Sequence, residues 1–137
     1  MLRHSLVLIL CLLSAWAFAA PAGRLYYDQA HGEFAMGDAV AATAHTLNLE
    51  VVASAEPITT DKLSGIRLLY LRAPSQEIRA EERAAIVAFV RNGGSLLLVL
   101  DQEQRQSLAR TKVNEIIAPF VFYLTADNVY LHNCGAL

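Results

Sequence analysis

The sequence predicts an α/β domain, doubly wound, with a mainly parallel sheet between layers of helix, and three observations predict it. Short apolar runs rich in β-formers alternate with longer amphipathic stretches, the rhythm of strand-helix-strand units. The run Ile66 to Leu71 is apolar except at Arg67, as expected of a strand buried on both faces. Three apolar runs, finally, empty into polar loops: Asp28-Gln-Ala-His-Gly-Glu33, Arg72-Ala-Pro-Ser75 and Asp101-Gln-Glu-Gln-Arg105. In a parallel sheet those loops share one edge, where open α/β sheets hold their ligands.

Before the domain stands a leader. Arg3 and His4 precede an apolar run, Leu6 to Leu13, which is followed by Ala17-Phe-Ala19 with small residues where signal peptidase inspects them. The run is shorter than the roughly 20 apolar residues of a spanning helix and is followed by Pro21 and Gly23, so residues 1–19 are expected to be a cleaved signal peptide. Cys11 has Leu10 before it instead of the small residue of a lipobox, which argues against a lipid anchor. Residues 20–137 then form one domain, periplasmic or secreted, with no membrane span after cleavage. That portion keeps a single cysteine, Cys134, so no internal disulfide is available and stability rests on the core. Removing Arg3 with the leader moves the formal charge from −2 to −3, without blocks of like charge, which disfavours nucleic acid as a partner.

The elements follow in order. A strand over Leu25 to Asp28 leads to a helix from Gly37 or Asp38 to Leu47, with Val40, Ala41, Ala44 and Leu47 at helical spacing and Asp38 as cap or first-turn acid. A second strand, Leu49 to Ala53, precedes one short turn capped by Thr59 or Thr60 and ended by Gly65. The strand Ile66 to Leu71 should be central. The helix Ala80 to Arg91 sets Ala85, Ile86, Phe89 and Val90 on one stripe and Glu81, Glu82, Arg83 and Arg91 on the other. Asn92-Gly-Gly94 stops it and reverses the chain into a strand over Ser95 to Leu100. A further helix is expected over about Gln104 to Ile117, stopped by Pro119, and Phe120 to Leu124 and Asn128 to Leu131 both read as strands. The result is a flavodoxin-like three-layer sandwich of strand order 2-1-3-4, with a fifth strand as an open extension. No helix follows to cover that last strand, so the pattern is that of a domain truncated at its C-terminus or continuing in a longer reading frame.

The candidate site is drawn from the polar loops: Asp28, Gln29, His31, Glu33, Arg72, Ser75, Asp101 and Gln102. Asp28, His31 and Glu33 could orient a sugar hydroxyl, hold a metal ion or exchange protons, since carboxylate and imidazole titrate near neutrality. They could equally be structural, with Asp28 accepting loop N–H groups, His31 packed over the sheet edge and Gly32 supplying a turn. Asp101 could complete a polar crevice with Gln102 or cap the next helix. Arg72 could hold a carboxylate or phosphate, or form a surface ion pair. No second histidine sits at metal-ligand spacing, so neither a metal nor a cofactor is expected. Cys134, in His132-Asn-Cys-Gly135, lacks a nameable orienting group and reads as a small buried apolar residue. His45, mid-helix, is expected to face solvent.

Tyr27-Asp-Gln-Ala-His-Gly-Glu33, the stretch Glu81 to Asp101 and Val113-Asn-Glu-Ile-Ile-Ala-Pro-Phe120 together resemble the class I glutamine amidotransferase-like superfamily. The likeness covers about residues 24 to 120 and is nearest to the noncatalytic branch. That branch contains gliding-motility and intraflagellar-transport domains, trehalose-utilisation-like domains and bacterial domains whose first strand ends in Asp-x-x-His-Gly. The amidotransferases' Gly-x-Cys-x-Gly nucleophile elbow, with later His and Glu partners, is not visible in this chain. The resemblance therefore implies a binding domain for a small polar ligand, such as a carbohydrate, or for an envelope protein. Two alternatives stand beside it: a hydrolase of carbohydrate or amide acting through Asp28 and His31, and a structural module of an envelope assembly.

Overall fold

Four parallel strands are ordered β2-β1-β3-β4 in the computed structural model, which describes residues 22–32, 35–100 and 107–125. The elements are β1 (Gly23–Asp28), α1 (Asp38–Thr46), β2 (Leu49–Ser54), β3 (Leu68–Arg72), α2 (Ala80–Arg91), β4 (Ser95–Val99), α3 (Leu108–Thr111) and α4 (Val113–Ile117), then a 3-10 turn at Ala118–Phe120. All three strand pairings are parallel, with Tyr26 opposite both Val52 and Leu69. This is the predicted order, with β1 and β3 inside, and the architecture is a flavodoxin-like α/β sandwich. The leader, residues 1–19, and the strand expected over Asn128 to Leu131 lie outside the described residues.

Strand periodicity divides the core. Successive side chains point to opposite faces, so Tyr26, Leu69 and Leu71 join Ile58, Ile78, Ile86, Val113 and Ile116 on one side. Leu25, Tyr27 and Tyr70 meet Ala44 of α1 on the other. The Tyr27 and Tyr70 rings stand 5.6 Å apart at 37°, a tilted contact on the α1 face. On the same principle β4 turns Leu96 and Leu98 to the larger cluster, while Leu97 and Val99 remain exposed.

Helix α2 starts and stops where its sequence says. Its C-terminal carbonyls at Val90 and Phe89 accept the N–H groups of Gly93 and Gly94, both at 3.0 Å. Gly93 takes φ 92, which costs glycine nothing, and a Cβ at Gly94 would fall 2.3 Å from the Phe89 ring. The two glycines thus have separate reasons, one conformational and one steric.

Three expectations need correction. The long helix over Gln104 to Ile117 is broken into α3 and α4 at Lys112, which has φ 62; its first residues lie outside the described set. The Thr111 carbonyl accepts Ile78 N–H at 3.2 Å, and a tertiary bond here replaces the helical one. Phe120 to Leu124 is not a strand. Phe120 closes the 3-10 turn, Val121 is left-handed, and the Asn114 carboxamide pairs with both N–H and carbonyl of Leu124 at 2.9 Å, taking the groups a ladder would use. Glu82, assigned to the polar stripe of α2, is buried, and its neighbour Arg83 is half-buried against Glu115 at 2.7 Å.

Ile86, fully buried under the sheet, should be the sensitive position: Ile86→Ala is expected to cost about 2–5 kcal/mol in urea unfolding, because the cavity collapses only in part. Val51→Ala on the exposed face of β2 should change stability by about 0.5 kcal/mol or less.

Candidate functional site

The last residue of β1 begins the site. Asp28 is wholly buried; its Oδ1 accepts Ala30 N–H at 3.1 Å, which curls the chain at the strand's end. That turn brings His31 back over the edge, with Nδ1 2.6 Å from Asp28 Oδ2. The other ring nitrogen, Nε2, lies 3.2 Å from Glu82 Oε2. His31 is 5% exposed and Glu82 3%.

Glu82 stands at the third position of α2. From there a carboxylate can reach back to the N-cap, and Oε2 accepts Arg79 N–H at 2.9 Å. Oε1 accepts Ile58 N–H at 2.8 Å, from the loop after β2. One carboxylate therefore joins three segments. The first turn of a helix also favours negative charge, which offsets part of the cost of burying it.

The surroundings of the imidazole between these acids favour its charged form. Ionised carboxylates only accept, so both ring nitrogens are satisfied together when both carry protons. Burial is the largest single influence on His31 and works against the charge. The hydrogen bond and charge of Asp28, followed by those of Glu82, outweigh it and raise the pKa above the ordinary 6.5. The cluster is a buried imidazole bridging two side-chain carboxyl groups, in surroundings that favour its protonated form.

His31 also organises the neighbouring loop through its backbone. Its carbonyl accepts the N–H groups of Ser75 at 2.9 Å and Gln76 at 3.1 Å, and Ser75 Oγ–H donates to the Gly32 carbonyl at 3.3 Å. Gly32 has φ 74, and a Cβ there would sit 2.4 Å from Ser75 Oγ, so the two loops approach only because this residue is glycine. The Arg72 guanidinium donates to the Ala35 carbonyl, fastening the far end of the first loop.

Of the predicted site residues, Asp28 and His31 are bonded to each other, Ser75 is stitched beside them, Gln29 is exposed at the rim and Arg72 is half-buried at the end of β3. Glu33, Asp101 and Gln102 lie outside the described residues, as does Cys134. Two residues of the site were missed. Glu82 was hidden by its place in an amphipathic helix, although a Glu in a helix's first turn is the mark of a capping box. Gln76, exposed next to Ser75, gave no signal beyond its nearness to a strand end. His45 is exposed, as expected. Among the described residues, no group of three or more His, Cys, Asp or Glu is arranged to hold a metal ion.

Comparison with known proteins bears on the fold. No protein-family model matches the chain, and no curated protein matches it. Among solved structures it is similar to the mmIFT52 N-terminal domain, with a TM-score of 0.61 and 20% identity over 71% of this chain. The match spans 43% of that chain, less than half its length. A likeness at this identity speaks for the α/β fold.

The bridge gives stability a sign with pH. A pKa raised by folding means the native state holds its proton more tightly than the unfolded chain, so the contribution of His31 is complete below about 6.5 and fades as pH rises through the raised value. Unfolding free energy measured in urea should accordingly fall on the alkaline side, and His31→Gln should flatten that part of the curve. Glu82→Ala is expected to cost about 3–5 kcal/mol, since it strands a buried charge and two backbone N–H groups; an imidazole NMR titration in that variant should move toward the ordinary value.

Proposed function

We propose that this chain is an exported, noncatalytic binding domain of the glutamine amidotransferase-like kind, which holds a small polar ligand at the C-terminal edge of its sheet. One observation carries the reading: both nitrogens of His31 are consumed in a buried bridge, while the loops that the bridge stitches together present Gln29 and Gln76 at the surface, with Ser75 half-buried between them. A general base needs a nitrogen able to accept a proton from water or a nucleophile. An imidazole locked between two acids serves instead to fix the loops around it. The exposed carboxamides of Gln29 and Gln76 both donate and accept, which suits a hydroxyl-rich or amide-bearing ligand better than an ion. Support for the family reading is the Asp28-x-x-His31-Gly32 turn together with the α/β likeness; support for export is the leader-like composition of residues 1–19.

The test is thermal unfolding of the protein against neutral sugars, amino acids, nucleotides and divalent metals. A ligand that binds the native state raises the midpoint by mass action. At least one sugar or amino acid should give a saturable shift, and Gln29→Ala or Gln76→Ala should weaken binding about tenfold, the loss of one good hydrogen bond, with the unliganded midpoint kept. Silence from every class would overturn ligand binding, and hydrolysis of any panel member that stops in His31→Gln would overturn the noncatalytic assignment.

A further inference from the structure

The opposite, N-terminal edge of the sheet carries a concavity of about 610 Å³, between the starts of β3 and β4 and the end of α2. That volume lies within the ~300–1,000 Å³ of small-molecule sites. Its floor is apolar, with Leu63 and Ile66 buried and the half-buried Phe89 ring held from one side by the Gly94 backbone. Around the rim stand the exposed side chains of Thr60, Ser64, Asn92 and Ser95. Arg67 is the one charged residue that lines it, and no acidic residue does.

Arg67 is placed rather than loose. Its stem crosses Gly23 so closely that a Cβ there would fall 2.3 Å from Arg67 Cδ, and Nη1 donates to the Ala22 carbonyl at 3.0 Å. It forms no ion pair with a carboxylate among the described residues. A guanidinium held by a carbonyl keeps other N–H donors in a planar fork that matches a carboxylate. The C-terminal end of α2 presents the negative pole of its dipole to the same cavity, which sets a limit on the charge that a single cation can hold there.

We infer that this cavity is a binding site for a polyhydroxylated monocarboxylate, the class of the hexuronic acids. The carboxylate meets Arg67; the ligand's hydroxyls exchange hydrogen bonds with Thr60, Ser64, Asn92 and Ser95; its C–H face lies on the apolar floor beside Phe89. A phosphate dianion fits less well, having one cation and a helix C-terminus to face. The site is independent of the sheet's other edge and of the ligand proposed there.

Amide NMR titration of the protein with D-glucuronate and, separately, D-glucose tests it. Glucuronate should give saturable shifts confined to residues 60–68 and 88–95, with glucose about tenfold weaker for lack of the charge-assisted pair. Arg67→Gln, at an exposed position, should reduce glucuronate binding to the level of glucose with an unchanged unfolding midpoint, and Arg67→Lys should recover part of the difference. Ser95→Ala provides a second variant, in which both sugars should weaken together. Absence of saturable shifts with glucuronate, shifts clustered at residues 29–32 and 75–76, or equal affinity in Arg67→Gln would each overturn the assignment.

Discussion

The buried bridge that His31 makes between Asp28 and Glu82 is the interaction on which the described fold most depends. Neither carboxylate would be tolerable alone in that position: an unpaired buried ion costs several kcal/mol even after relaxation. Together they are supplied with two ring N–H groups and with the backbone N–H groups of Ala30, Ile58 and Arg79. The bridge spans the two layers that matter. Asp28 ends an inner strand, and Glu82 lies one turn before Ile86, which is fully buried against the sheet. Fixing these side chains also fixes the start of α2 and the loop after β2, because all three share the Glu82 carboxylate.

The same bridge separates scaffold from surface at the sheet's C-terminal edge. The groups with the strongest chemistry, an imidazole and two carboxyl groups, face inward, and two carboxamides, with weaker and more adaptable chemistry, are carried outward on loops joined by backbone hydrogen bonds. A surface made in this way is preorganised: its loops would lose little freedom on binding. At the opposite edge the preorganised element is Arg67, held by glycine and a carbonyl in place of a charge network.

Most of the fold was legible. Strands 1 to 4 follow from apolar runs, their parallel direction from the alternation with helices, and α2 from its stripe and its terminal glycines. Legibility ended where a side chain or a carbonyl found a distant partner. The break at Lys112 depends on Ile78, more than thirty positions away, capturing the Thr111 carbonyl. The irregular path after Phe120 depends on one carboxamide, Asn114, substituting for a neighbouring strand. Hydropathy assigned Glu82 to the solvent face because a carboxylate ordinarily belongs there; its burial is a consequence of His31 reaching it across 51 positions.

Sequence by itself determined the class of fold, the parallel direction of the strands and the edge at which polar residues collect, since these follow from periodicities of two and 3.6 and from turn residues acting locally. It also placed Asp28 and His31 at that edge. Only the tertiary structure decided what they do there, because protonation depends on the number and distance of neighbouring charges, and those neighbours come from segments that meet only when β1, the loop after β2 and α2 are packed together.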